Sequence, residues 1–290
     1  MMKLRKSIII VVILMLSICI IMGGCSQNNV PDADDQTSVD PAPSTEEPVK
    51  EPVKEPVKEP VKTTKWITGY TAVPVDGKHP LQQAMEYFSD LLYEKTEGRY
   101  ELEIYHSGQL GSDKDMIEGC VMGSYPMVFN SNGLFANYED IFNIFDFPYL
   151  FTSREHAHAV LDSEIGDEIL KTLEDHNMIG LAYAESGFRN VTNNKHPIKT
   201  PADLKGMKIR LMEVPIHLET FNTLGANATP MAWGEVFTAL SQGTIDGQEN
   251  LNMGMYSAKL YEVNKYFSIT EHFYTPFVIA INKDVYDSLT

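Results

Sequence analysis

A proline stands at every fourth position through residues 47–62, in four consecutive copies of Glu-Pro-Val-Lys. Each copy removes a backbone donor, so neither a helix nor a sheet interior can run through the stretch. With one Glu and one Lys per copy, the repeat reads as an extended, charge-balanced, semi-rigid spacer. Residues 26–46 are rich in Asp, Pro, Ser, Gln and Asn and have little to bury, so the linker spans residues 26–65. Any packed fold must therefore lie on one side of it. The 25 residues before it are a basic start (Lys3, Arg5, Lys6) and an apolar run over residues 7–22, shorter than the roughly 20 residues that a bilayer span needs. They read as an export signal, which leaves residues 66–290 for the fold, enough for one large domain or two ordinary ones.

The apolar run ends in Gly23, Gly24 and Cys25, which resembles a bacterial lipobox, although Met22 stands where leucine is usual. The resemblance implies lipidation of Cys25, with a plain membrane anchor as the simpler alternative. An anchor, a spacer and a body make the layout of a protein tethered outside the cytoplasmic membrane. Forty acidic against 23 basic residues give a net charge of −17, a field that repels phosphate backbones and argues against nucleic acid. Of the three cysteines, Cys19 and Cys25 belong to the leader. The body keeps only Cys120, and no internal disulfide or cysteine metal cluster is available to it.

From residue 66 onward, short apolar strands alternate with amphipathic helices, the pattern of an α/β protein. Residues 66–73 read as a strand. Pro80 opens a helix whose apolar Leu81, Ala84, Phe88, Leu91 and Leu92 keep helical spacing as far as Thr96-Glu97-Gly98. A strand over 100–105 follows, then a helix from Ser112 with Asp115 completing a capping box, and a strand over 125–130. Helices over 153–161 and 163–175 lead to a strand over 179–185. A second unit starts near Gly187, with a helical turn at 201–204, a strand at 207–212, a helix at 215–224, a strand at 227–231, a helix at 232–242 and a strand at 244–249. Residues 273–281 form an apolar strand without a nearby partner, expected to cross back into the first unit. Asp287-Ser288 reads as the cap of a helix that does not follow, which suggests a chain cut short.

Enzyme motifs are absent: no phosphate loop, no dinucleotide glycine fingerprint and no nucleophile elbow. His156 and His158, two apart on a helix, face opposite sides and cannot clamp one metal. Two Asn-x-Thr sequons at Asn190 and Asn227 carry no information beside a bacterial lipobox. The informative groups lie at the junction of the two units. Arg189 follows Gly187-Phe188, and Arg210 sits inside the strand Lys208-Ile209-Arg210-Leu211-Met212, where apolar neighbours make an unpaired charge expensive. Such an arginine wants an anion, either one of the chain's many carboxylates or a ligand. Trp233, Glu235 and Asn250 come from segments flanking the same strand.

These residues resemble the extracytoplasmic solute receptors of tripartite ATP-independent periplasmic (TRAP) transporters, the DctP-like family. The likeness is carried by Thr96-Glu-Gly-Arg with Ser107-Gly-Gln-Leu-Gly111, by Gly187-Phe-Arg-Asn190, by Pro201-Ala-Asp-Leu-Lys-Gly with Lys208-Ile-Arg-Leu-Met212, by Thr229-Pro-Met-Ala-Trp-Gly-Glu235, and by Asp246-Gly-Gln-Glu-Asn250. It implies a two-domain periplasmic-binding-protein-like α/β fold with a hinge and an interdomain cleft: domain I over 66–186 and 276–290, domain II over 187–275. It further implies an organic acid held by its carboxylate at Arg210, with Arg189 and Asn250 as further donors and Trp233 as the aromatic wall. Glu235 would orient neighbours, while Asn130, Ser131 and Asn132 would touch the rest of the ligand. The partners implied are the membrane subunits of a TRAP permease, with no cofactor, no metal and a monomeric receptor. A ligand-binding input module for a membrane sensor is the alternative reading. A surface hydrolase is weaker, for want of any catalytic constellation. If Cys25 carries lipid, Cys25→Ser will abolish incorporation of a labelled fatty acid and release the chain from the membrane fraction.

Overall fold

The computed structural model describes residues 62–75 and 79–289. The leader, Cys25 and the spacer up to residue 61 lie outside the described residues. The body opens on β1 (Thr64–Gly69), which runs parallel to β2 (Tyr100–Tyr105) with Trp66 opposite Leu102. Between them lies α1 (Pro80–Lys95), whose first backbone donors are met by the ring of His79, which accepts from the Leu81 amide at 3.2 Å. The chain leaves it through Glu97 and Gly98, both at positive φ, as the Thr-Glu-Gly triplet predicts. The strand predicted over 66–73 is shorter at its far end, because beyond Gly69 the chain turns to carry Thr71 toward the next helix, α2 (Asp113–Val121). There the Ser112–Asp115 capping box is present in both directions.

β3 (Met127–Ser131) and β4 (Met178–Ala184) flank β10 (Phe277–Asn282), antiparallel to both. The late apolar strand thus returns to the early part of the chain, as its lack of a local partner predicts. Between β3 and β4 come α3 (Asn132–Phe135), α4 (Arg154–Leu161) and α5 (Glu164–Lys171), with 3-10 turns at Asp140–Asp146 and Thr172–His176. Ile117, Phe135, Phe142, Leu173 and Val278 fill the core here together with Cys120. Burial pushes the Cys120 thiol up to about 12, which keeps it out of thiolate chemistry.

The remaining strands form one five-stranded sheet in the order β7 (Asn227–Pro230), β6 (Lys208–Leu211), β8 (Gly247–Leu251), β5 (Arg189–Asn193), β9 (Tyr266–Ser268). Around it lie α6 (Pro215–Thr223), α7 (Val236–Gln242) and α8 (Asn252–Ser257). β5 and β9 are not predicted from the sequence. All five residues of β5, Arg-Asn-Val-Thr-Asn, are buried although four are polar, so it lacks the apolar alternation of a strand. Neighbours meet two of its polar side chains: Thr192 accepts from Gln248, and Asn190 donates to Asn252. Gly247 is required by proximity, since a Cβ there would stand 2.4 Å from the Thr192 carbonyl oxygen.

The chain passes between the three-stranded and five-stranded sheets through Gly187, at φ +107°, and again through residues 274–276. The two passages lie side by side, with Phe188 bridged to Tyr274 and the Thr275 amide donating to the Gly187 carbonyl. At the end of the described residues α9 (Lys283–Asp287), which the sequence reading does not contain, follows β10 directly and is capped by Asn282. Asn282 is buried, accepts from the Val285 amide at 3.1 Å and donates to the Cys120 carbonyl at 2.9 Å. Asn282→Ala removes the bond to that carbonyl and leaves the Val285 amide at the helix start uncapped. It is expected to cost about 1–3 kcal/mol, read as a melting point lower by several degrees in calorimetry.

Candidate functional site

β6 enters the five-stranded sheet between β7 and β8, with Arg210 opposite Thr229 and Gln248. Its position in a central strand buries the side chain to 2% exposure. Nε and Nη2 both donate to the carbonyl oxygen of Met231, at 2.9 and 2.7 Å, and the guanidinium carbon lies 5.5 Å from the centre of the Trp233 ring. Nη1 is buried with no hydrogen-bond partner among the described residues. Burial pushes the guanidinium down to about 10, so it stays charged at neutral pH while its desolvation is only partly offset.

Arg189, at the head of β5, has a dedicated counter-ion. Its Nη2 donates to Glu249 Oε1 at 2.9 Å and to the Glu249 carbonyl at 3.2 Å, and its Nε donates to Oε2. The β5–β8 register places Val191 opposite Glu249, so Arg189 and Glu249 are diagonal neighbours across the two strands. His272 reaches the same Oε2 at 3.3 Å through Nε2. Burial by itself would raise the Glu249 carboxyl, but the Arg189 charge and these hydrogen bonds hold it well below the usual carboxylate range. Burial lowers His272.

Both arginines line a cavity of about 240 Å³. Trp233, Asn250, Asn130 and Ser131 line it as well, so six of the eight candidate binding residues come together although they arrive from β3, β5, β6, β8 and the turn before α7. Asn130 is already engaged, donating to the Asp113 carbonyl at 2.8 Å and accepting from the Ser131 amide at 2.8 Å. Asn132 and Glu235 do not join the lining. The Asn132 side chain turns into the core at the start of α3 and donates to the Phe142 carbonyl at 2.8 Å, while Glu235 sits exposed on a 3-10 turn.

The cavity also holds residues that the sequence does not single out: Thr71, His79, Asp113 and Glu185. Asp113 is the first residue of α2, and both its oxygens accept from the Thr71 hydroxyl at 3.0 Å. Burial raises its carboxyl, against that hydrogen bond and the charge of Arg210. His79 accepts at Nδ1 from the Leu81 amide, which assigns its proton to Nε2, and that nitrogen is buried without a partner among the described residues. Glu185 accepts from the Tyr274 hydroxyl at 2.6 Å and lies against His158 and Arg154. A capping box at Ser112 and a His-Pro at a helix start were the local signals for Asp113 and His79, and both read equally well as helix punctuation. A second cavity, about 550 Å³, is lined mainly by Phe147, Ile198, Leu204, Phe221, Leu224 and Ile269 and holds no guanidinium. It is larger and has Lys199 and Glu219 at its lining, yet only the smaller cavity brings guanidinium groups to its wall. Among the described residues no cluster of His, Cys, Asp and Glu could hold a metal ion, and no helix is long and apolar enough to cross a membrane.

A buried arginine with a free donor beside an aromatic ring, a second arginine and an asparagine on one wall is an arrangement for a planar anion. Residues 72–290 match the family description of bacterial extracellular solute-binding protein family 7, DctP. The chain belongs to this family. It is 40% identical over 222 residues to the 2,3-diketo-L-gulonate-binding periplasmic protein YiaO of Escherichia coli K12, covering 77% of this chain and 67% of that one. To the C4-dicarboxylate-binding periplasmic protein DctP of Rhodobacter capsulatus it is 33% identical, covering 70% of this chain and 61% of that one. The chain thus spans about two thirds of the length of these family 7 relatives. Among solved structures, the TRAP periplasmic solute-binding protein of Polaromonas sp. JS666 bound to D-erythronate superposes with a TM-score of 0.74 at 39% identity, covering 78% of this chain and 74% of that one. The fold is therefore that of the two-domain TRAP solute-binding proteins, the α/β class read from the sequence, and family 7 is a family of extracytoplasmic receptors that bind organic acids.

The Arg189–Glu249 pair makes a pH-dependent contribution to stability. Because the folded carboxyl is depressed, the contribution is complete above the ordinary value of 4.5 and is lost as pH falls through the lower folded value. Glu249→Gln is expected to cost about 3–5 kcal/mol at neutral pH by stranding a buried guanidinium, and to flatten the acid limb of the stability curve below pH 4.5 in chemical denaturation.

Proposed function

We propose that this chain is the extracytoplasmic receptor of a TRAP transporter, capturing an organic acid by its carboxylate and delivering it to the permease subunits in the membrane. The observation that carries the reading is Arg210: a charged group in a central strand, held flat by Met231 and Trp233, with one buried donor nitrogen unpaired on a cavity wall. A fold gains nothing from that donor, since an unpaired buried group costs free energy that a carboxylate oxygen would return. Arg210 fixes the carboxylate, Asn250 supplies a neutral donor, and Trp233 closes one side. Arg189, neutralised by Glu249, acts as a rigid polar wall and not as a second full charge. Asn130 and Ser131 line the far side.

The domain division into 66–186 with 276–290, and 187–275, follows the two chain passages, and closure about them would exclude water from the ion pair. Its support is the separation of the three-stranded from the five-stranded sheet and the return of β10 between β3 and β4. Cys25 with the Glu-Pro-Val-Lys spacer would hold a monomeric receptor near the membrane. Binding occurs without turnover and without a cofactor.

A thermal-shift and calorimetric screen of the full chain against organic and sugar acids tests the assignment. A ligand in large excess over its Kd raises the melting point by mass action. Arg210→Ala is expected to lose about 2–5 kcal/mol of binding, the range for removing one partner of a buried charge pair. Its melting point without ligand is measured alongside, because the substitution also strips the Met231 carbonyl of its donors. Wild-type affinity in Arg210→Ala would refute the role.

A further inference from the structure

The loop from β6 to α6 leaves its own sheet and enters the core of the other. Val214 is fully buried among the residues packed around Phe135, Phe142 and Val278, with Met212 and Ile216 partly buried against them. A Cβ on Gly133 would stand 2.9 Å from Val214 Cγ1, so the start of α3 admits Val214 only because residue 133 has no side chain. Asn137 donates to the Glu213 carbonyl at 3.3 Å. The same loop continues directly from the strand that carries Arg210, and Met212 lines the anion cavity beside it.

Just inside α6, His217 is wholly buried, with its ring stacked on Phe273 at 4.1 Å and 8°. Neither ring nitrogen has a hydrogen-bond partner among the described residues. Its Nε2 lies 3.6 Å from Asp146 Oδ1, close enough for an ion pair and too long for a hydrogen bond. Asp146 comes from the three-stranded side, at the end of the 3-10 turn Asp140–Asp146, and is equally buried. Its hydrogen-bond partners are neutral: the Thr275 hydroxyl donates to Oδ1 at 2.8 Å, and Asn132 Nδ2 donates to Oδ2 at 3.4 Å. A carboxylate held only by neutral donors and an imidazole with two idle nitrogens are both costly when buried. Moving them together by less than about 1 Å would join them and relieve both.

The anion cavity is built from both sides, with Asp113 and Asn130 on one and Arg189, Arg210 and Trp233 on the other. An acid that is held at Arg210 and touches the opposite wall draws the two sides together. Resting on the carboxylate-receptor reading, we infer that Asp146 and His217 form a latch between the two sheets, standing just short of a hydrogen bond and made when a bound acid closes the cavity, so that it sets how long the acid is retained. His217 donates from Nε2 and Asp146 accepts. The Phe273 stack fixes the plane of the imidazole, which leaves movement of α6 toward the turn as the motion that makes the bond. A hydrogen bond to a charged group that exists only in the bound form slows dissociation and leaves encounter unaffected.

The test is calorimetric titration and stopped-flow tryptophan fluorescence of the full chain, His217→Phe, His217→Leu and Arg210→Ala with D-erythronate, D-galactonate, D-galacturonate and succinate, together with the melting point of each chain without ligand. Both His217 substitutions put apolar atoms where the idle nitrogens were. A latch that is not yet made predicts that at least one of the two melts at or above the wild-type temperature. In that variant the acid that binds the wild type tightest should be held about tenfold more weakly, through faster dissociation at an unchanged association rate. Melting of both variants several degrees below the wild type would assign the ring to the fold and overturn the inference. Wild-type affinity or wild-type dissociation in a His217 variant that folds would overturn it too, and if Arg210→Ala has lost the same acid the carboxylate-receptor reading stands alone. Binding of no acid by the wild type, or undiminished binding by Arg210→Ala, would overturn that reading and the latch with it.

Discussion

A guanidinium and a carboxylate buried side by side anchor the middle of this molecule. Arg189 and Glu249 are 2% and 0% exposed, and neither could be dehydrated without the other. Their pairing depends on β5 and β8 lying antiparallel in one register, and the same carboxylate takes His272 from the segment that leads back to the first sheet. Phe273 accepts the Arg189 amide, and Tyr274 bridges Phe188, so the strand that carries the ion pair is laid directly against the second passage. One interaction therefore sets the strand pairing, the path of the chain between the sheets and the wall of the cavity.

The two arginines illustrate how similar residues acquire different duties. Arg189 is matched by the Glu249 carboxylate, whereas Arg210 has a carbonyl for two nitrogens and, among the described residues, nothing for the third. The first contributes to the fold and the second stores unsatisfied hydrogen-bonding capacity at a cavity wall. An acidic protein of net charge −17 that is to hold an anion must concentrate its positive potential in such a place, since its long-range field works against the ligand.

The order of strands and helices was legible in the chain itself. Pro80, the Ser112–Asp115 box, the Thr96-Glu97-Gly98 stop and the turn at Pro201 act over a few residues, and the structure contains each of them. β5 escaped notice because Arg189, Asn190 and Thr192 find their partners on β8 and in the residues beyond it, a circumstance no local periodicity records. Asn282 was not singled out either, although its side chain closes both a helix start and a core carbonyl contributed by α2.

By itself the sequence determined the spacer, the α/β alternation, the caps, and the presence of an arginine where a strand should be apolar. These follow from backbone donors and side-chain periodicity, which are properties of neighbours in the chain. Only the tertiary structure decided that Arg189 is neutralised by a residue 60 positions away, that Asn132 and Glu235 face elsewhere, and that Asp113 and His79 stand in the cavity. Charge pairing and burial act through space at a few ångströms, and which residues come that close is set by strand order and register.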